Sequence, residues 1–440
     1  MAQENSRTFR VLARAVSCGV ALRPKPWRLL AALLFLATVL TTARAAGADR
    51  TGKLLNVDGV RVLRVWGTSQ DRGFAHGYHF ADEIVSLLDS FIASGGLKTG
   101  GLDFETGLIP FTKRMTVPFE YEQELMGLRA GIVARLGEPP TVAALGRKLT
   151  YDDLLAMNCI ADVAAAGCSS FAAWGPLTEG GNTVAGRNLD WPRIDALFGR
   201  QVVVVYEARE NPAALGWVSV TWPGLIGCYT GMNSESVTVS VHDVRGVAPM
   251  TDHGFTPRTL TLRDAIEAAR AESAARDISK ILSARVSLVG NNVPVAMASS
   301  VVATPPSVVF EYDGRTALDG GVTMRVAESP GYQLCTNHYV KRGEPVACRR
   351  YDAMRRRLES ISAAGSYVGI GEAWSVLADA AMGGTNPGEL TTYTSVIFEP
   401  DHRRMHVAFG EPGRPAPLCK RVTLDVTELL KFTVAPSRTE

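Results

Sequence analysis

The sequence has no C-x-x-C pair among its seven cysteines, no H-E-x-x-H, no internal repeat and no long low-complexity segment. The scattered cysteines fit neither a zinc ribbon nor a small disulfide scaffold, and the missing repeat excludes a solenoid. Charged residues make up only 20% of the 440 positions and hydrophobic ones 46%, which excludes disorder and leaves enough apolar side chains for a large core. Length leaves open one large domain or two intimate ones. The apolar run from Leu29 to Leu40 is shorter than the roughly 20 residues of a spanning helix. It follows Arg23, Lys25 and Arg28 and leads into two possible A-x-A sites, Ala43-Arg44-Ala45 and Ala46-Gly47-Ala48. That is the pattern of a signal peptide over about residues 1–45, so the mature chain is expected to be secreted or periplasmic, with no stable membrane anchor.

A basic face for nucleic acid is missing too. Residues 1–45 hold seven of the 46 basic residues and one of the 44 acidic ones, leaving 39 against 43, about −4. Small molecules are the expected partners. Six cysteines remain beyond residue 45, so if one is a free nucleophile at least one more stays unpaired.

What is present is a change of texture near the middle. Val60 to Val65 reads as a strand running into a helix with Ala81, Ile84, Leu87 and Leu88 on one stripe. Thr150 and Asp153 form a capping-box pattern for a helix ending near Gly167. Short β-type runs follow at 169–174, 183–188, 202–207, 217–221 and 237–241. Helices are expected from a Thr261/Asp264 cap and over 274–282, 346–361 and 372–380, with strands at 308–312, 322–326, 394–398 and 405–409. Strand runs and helix runs in blocks point to stacked α and β layers.

The chemistry-bearing stretch is Gly167-Cys168-Ser169-Ser170, followed by Gly186-Arg187-Asn188-Leu189-Asp190. If these are two strands of a hairpin, Arg187 and Asp190 flank Cys168. This stretch resembles the penicillin acyltransferase (isopenicillin-N acyltransferase) family of N-terminal nucleophile hydrolases, which is related to choloylglycine (bile-salt) hydrolases and penicillin V acylases. The similarity extends through Arg72-Gly73 and Gly77, Gly231-Met232-Asn233, Thr336-Asn337-His338 and Arg350-Tyr351. One departure is Ser236, where the family usually has glycine three residues after Asn233.

The resemblance implies a four-layer αββα sandwich with two antiparallel sheets, α+β in class, and a precursor that cuts itself between Gly167 and Cys168. Residues 46–167 would form a small chain that stays associated as a partner of the large chain, 168–440, in one domain. Cys168 would be nucleophile and, through its freed α-amine, base, since such an amine titrates near pH 7.7 to 8.0. Arg187 would favour the thiolate and Asp190 would hold the amine. Asn233 and Asn337 would supply oxyanion donors and Arg350, or its neighbour Arg349, electrostatic support. No metal or organic cofactor is implied; the substrate would be a small-molecule amide or acyl compound.

Taken singly, each residue has a plainer reading: a buried core cysteine, a structural Arg187–Asp190 ion pair, a turn asparagine at Asn233. His242, Asp243, Asp252 and His253 lack metal-ligand spacing and read as a solvated loop, and His76 and His79 as helix-surface residues. Two rivals stand beside the acyl-transfer reading. A papain-type protease lacks its C-G-[SA]-C-[WY] signature here, and an exported non-catalytic binding protein would keep the Gly167–Cys168 bond intact.

Overall fold

The computed structural model describes residues 51–431, apart from 96–101, 165, 208–212, 246–250, 303–304, 315–321, 328–330 and 345. The expected signal segment lies outside the described residues.

Two sheets carry the architecture. The larger has ten strands: β1 (Gly52–Val57), β2 (Val60–Val65), β5 (Val202–Tyr206), β6 (Trp217–Thr221), β7 (Thr230–Asn233), β8 (Thr238–Ser240), β10 (Gly290–Ala296), β11 (Ser307–Tyr312) and β12 (Thr323–Val326) in that spatial order, with β9 (His242–Val244) pairing beside β8 on β10. The smaller is ordered β13 (Tyr332–Cys335), β3 (Gly167–Gly175), β4 (Gly181–Pro192), β14 (Leu390–Glu399), β15 (Arg404–Phe409), β16 (Arg421–Asp425). The larger sheet corrects one expectation, because β2 and β5 run parallel (Val62 opposite Val203) and the sheet is therefore mixed. A parallel neighbour needs a long crossover, and here the chain between β2 and β5 lays down five α-helices among its described residues and the β3–β4 hairpin before returning.

Three apolar cores alternate with the sheets. On β5, Val202 and Val204 face a core shared with helices α1 (Ser69–His79), α2 (Ala81–Ala93), α3 (Phe119–Leu136), α4 (Tyr151–Val163), α5 (Arg258–Ala268) and α6 (Ala274–Ser283). Val203 and Val205 face the opposite way, into a core completed by Ala172, Trp174, Val396 and Phe398 of the smaller sheet. The far side of that sheet, Phe171, Ala173 and Ile397, packs on α7 (Arg349–Ala363) and α8 (Ile370–Asp379) through Leu358, Trp374 and Leu377. Side chains of a strand alternate between faces, so a strand buried on both sides reads as a continuous apolar run. The result is four layers, αββα.

Local chemistry sets the helix ends. Thr150 and Asp153 form the expected reciprocal cap of α4. The helix proposed from Thr261 instead starts at Arg258, behind Pro257, because Asp162 accepts the Arg258 backbone N–H at 3.0 Å. Asp264 then serves Tyr121 and Arg285 rather than a cap. The Arg72-Gly73…Gly77 segment is a helix crossing. A Cβ on Gly73 or Gly77 would lie 1.9 or 2.0 Å from the Glu124 or Leu128 carbonyl of α3, and one on Gly127 or Gly131 would meet the α1 backbone at 2.1 Å. Only glycine on both helices lets them approach that closely. His76 is likewise interior, not on the surface: its Nε2 accepts the Gly224 N–H at 3.0 Å, and burial lowers its pKa to about 4, so it is neutral.

Candidate active site

The β3–β4 hairpin places Cys168 opposite Leu189 and Gly167 opposite Asp190. Because side chains alternate, Cys168, Ser170, Ala172 and Trp174 share the face turned toward the larger sheet. At this end of the sandwich the apolar filling gives way to buried polar groups, held by bonds from five elements.

Arg187 is 1% exposed, and its Nη2 donates to Cys168 Sγ at 3.4 Å and to the Val241 carbonyl at 3.0 Å. Its Nη1 donates to Thr230 Oγ1. Among the described residues it forms no salt bridge. An isolated buried cation is costly, and the charge of Arg187 acts on both the Cys168 thiol and the Asp190 carboxyl. Burial pushes the Cys168 thiol up, and Arg187 is the main force drawing it down again.

Asp190 is wholly buried; Thr392 Oγ1 donates to it at 2.6 Å and Arg350 Nη1 at 3.2 Å. Burial raises its carboxyl while Arg350 opposes the shift. A Cβ on Gly167 would touch this carboxylate at 3.2 Å, so Asp190 lies against the Gly167–Cys168 peptide and the residue there must be small. Arg350 also donates to the Cys168 carbonyl at 2.5 Å and to Asn337 Oδ1 at 2.8 Å. The structure thus selects Arg350 over Arg349 as the residue in this cluster.

Asn337 Oδ1 accepts the Cys168 backbone N–H at 2.7 Å. Its Nδ2 donates to the Asp243 carbonyl at 2.7 Å and, at a long 3.5 Å, to Ala166 just before the Gly167–Cys168 bond. One amide hydrogen is therefore held only loosely, beside that bond.

Asn233 is not brought into this cluster. Both of its amide hydrogens are donated, to Ile266 and Ala269 at the C-terminal end of α5, and its Oδ1 accepts from Glu235 and Val237. No hydrogen is left for an oxyanion. The same bonds brace a turn in which Ser236 has φ of 66°, the left-handed conformation that glycine adopts most readily. Asn233→Ala is accordingly expected to strand buried carbonyls and amides and cost about 1–3 kcal/mol of stability. Reactivity of Cys168 per folded molecule should stay near wild type, as read by thermal melts and thiol titration. A reactivity loss with an unchanged melt would return Asn233 to the chemistry.

Sequence reasoning missed Asp243 and Arg258. Neither His242 nor Asp243 is on a solvated loop: they are 0% and 5% exposed, whereas Asp252 and His253 do lie exposed on a loop. Arg258 Nη1 donates to Asp243 at 2.9 Å, beside Asp162, whose carboxyl is pushed up to about 6 by burial. The period-2 run Val239, Val241 before His242 was the available signal for burial. Among the described residues no three His, Cys, Asp or Glu side chains form a metal-binding group, and the six cysteines at 159, 168, 228, 335, 348 and 419 are all free thiols.

Two cavities flank the Gly167–Cys168 bond. One has a nearly all-apolar wall including Met157, Ile160, Leu189, Trp191, Trp222 and Tyr229, and is also lined by Cys168, Arg187, Asp243 and Arg258. The other, of about 1050 Å³, is more open and is lined by Gly167, Asn337, His338, Arg350, Arg245 and Glu344. Ala166 borders both.

No family model matches the chain. Protein dcd1B of Dictyostelium discoideum is 24% identical over 192 residues, 40% of this chain and 37% of that protein, so the chain spans little more than a third of that relative's length. Among solved structures, the Caenorhabditis elegans ortholog of N-acylethanolamine-hydrolyzing acid amidase is 16% identical with a TM-score of 0.39, over 53% of this chain and 93% of its own. A C2A mutant of conjugated bile acid hydrolase from Clostridium perfringens is 10% identical with a TM-score of 0.40 (60% and 94%). Penicillin V acylase from Agrobacterium tumefaciens is 15% identical with a TM-score of 0.39 (61% and 90%). The four-layer architecture and the site geometry stand on this chain's own sheets, cores and hydrogen bonds.

Proposed function

We propose that the protein is a self-cleaving cysteine amidohydrolase or acyltransferase that removes an apolar acyl group from an amine through a thioester on Cys168. The observation that carries this reading is the placement of the Cys168 sulfur 3.4 Å from Arg187, which has no acid partner among the described residues, in the wall of an apolar cavity.

Cleavage of Gly167–Cys168 would free the Cys168 α-amine between Asp190 and Asn337, the two groups now flanking that peptide. The amine takes the thiol proton, and the thiolate, favoured by Arg187, attacks the substrate carbonyl. The C–N bond then breaks as the amine returns its proton to the leaving nitrogen. Water or a second amine attacks the thioester, releases the acyl group and restores the thiol. Asn337 supplies the oxyanion donor, since its loosely held N–H is freed when Ala166 departs. The apolar cavity suits the acyl chain, and the more open one, where Arg245, Asn337 and Arg350 stand among apolar residues, suits the amine.

The first test needs no substrate. Purified protein is expected as two associated chains, the larger beginning Cys168-Ser169-Ser170 by N-terminal sequencing. A fully active protein with the bond intact would overturn the self-cleavage. Export follows the same reading: the mature small chain should begin near residues 46 to 49 and be recovered outside the cytoplasm.

A further inference from the structure

Strand β9 has three residues, yet the segment around it holds most of the site. The Val241 carbonyl accepts from Arg187 at 3.0 Å, and the Asp243 carbonyl accepts from Asn337 at 2.7 Å. Asn337 in turn holds the Cys168 N–H. Between the two carbonyls the His242 side chain crosses to the other sheet, where its Nε2 lies 2.6 Å from Ser170 Oγ. Ser170 is two residues from Cys168, on the same face of β3. Residues 241–243 thus meet Arg187 and Asn337, two of the groups that touch Cys168, and the strand that carries it.

His242 is fully buried, with Nδ1 3.7 Å from Cys335 Sγ. The groups around the ring are Ser170 from β3, Arg187 from β4, Cys335 and Thr336 at the end of β13, and Arg350 from α7. Burial, aided by the two guanidinium charges, holds its pKa well below the ordinary histidine range. A ring kept neutral has one N–H and one lone pair. It acts as a hydrogen-bonding strut and does not carry protons. A buried polar side chain among apolar neighbours is tolerated only where it is bonded, and here the bond spans the gap between the sheets.

We propose that His242 is a positioning residue: by tying Ser170 across the two sheets it fixes the 241–243 segment, and with it the placement of Arg187 and Asn337 against Cys168. The inference rests on Cys168 being the nucleophile. It predicts that losing the strut loosens the Arg187–sulfur contact and makes the thiolate harder to form.

The test is the pH dependence of Cys168 alkylation by iodoacetamide in the processed protein, read by peptide mass. Peptide mapping separates Cys168 from Cys348, whose thiol is drawn down to about 6 with hydrogen bonds from His338 and Thr336 opposing burial. His242→Leu and Ser170→Ala are expected to move the Cys168 profile to higher pH, with alkylation at pH 7 slowed about tenfold, the effect of one pKa unit. Self-cleavage should slow with it. His242→Gln, whose amide can donate to Ser170, should recover much of the loss. A folded His242→Leu protein with the wild-type profile would overturn the proposal. If that variant does not fold, Ser170→Ala, which removes only a hydroxyl, decides by the same measurement. Turnover retained in Cys168→Ala would instead fell the nucleophile reading, so the two failures are distinguishable.

Discussion

Cys168→Ala is expected to yield a folded, full-length and inert chain. In the proposed mechanism the substitution removes the one atom that attacks both the Gly167 carbonyl during maturation and the substrate carbonyl afterwards. Turnover should fall by about 10⁴-fold or more, the scale seen when a nucleophile is deleted from an otherwise intact site. The fold should persist because alanine keeps the strand backbone, and with it the bonds from Asn337 and Arg350 to the Cys168 N–H and carbonyl. Intact mass and an amide-hydrolysis assay check the two halves separately. A protein still found as two chains, or turning over within tenfold of wild type, would remove Cys168 from the mechanism.

Arg187→Met should separate stability from activity. Methionine approximates the length of the arginine stem, and Arg187 has no acid partner among the described residues to strand. Removing a buried charge that lacks an acid partner favours the variant, while the buried Val241 carbonyl and Thr230 hydroxyl lose their donor, so the melting temperature should change little. Activity at neutral pH should drop roughly 10²- to 10³-fold, because burial keeps the thiol high and the chief opposing charge is gone. The sign of the pH effect follows. The thiolate is the reactive form, removing Arg187 raises the thiol pKa, and the rising limb of the rate profile moves to higher pH. Activity should therefore recover partly in alkaline buffer. A variant with lower stability and an unshifted profile would make Arg187 a packing residue.

The acid/base groups divide by environment. Arg350 is shared between Asp190, Asn337 and the Cys168 carbonyl, so it ties together the groups around the Gly167–Cys168 bond. Arg187 bonds the sulfur, the Val241 carbonyl and Thr230. The plainer reading of Arg187 and Asp190 as an ion pair does not hold, since the ion pair of Asp190 is made by Arg350.

The order of elements, the capping of α4 and the hairpin that sets Arg187 and Asp190 beside Cys168 follow from local pattern: capping residues, alternation and turn residues act over a few positions. The resemblance carried by the short motifs led to Cys168, Arg187, Asp190, Asn337 and Arg350, and the structure places these within one hydrogen-bonded cluster. It could not separate Asn337 from Asn233, since both are asparagines in similar turn contexts. Only tertiary structure shows that one has a loosely held N–H at the Gly167–Cys168 bond while the other has spent both hydrogens on the end of α5. The glycines of α1 are likewise legible as glycines, but their purpose depends on α3, whose backbone they touch more than forty positions away. Burial of His76, His242 and Asp243, the parallel pairing of β2 with β5 and the apolar cavity beside Cys168 arise from contacts between segments far apart in the chain. Periodicity reports which face of an element is apolar. It carries no information about which distant element covers that face, and that is what decided the charge and reach of the groups at this site.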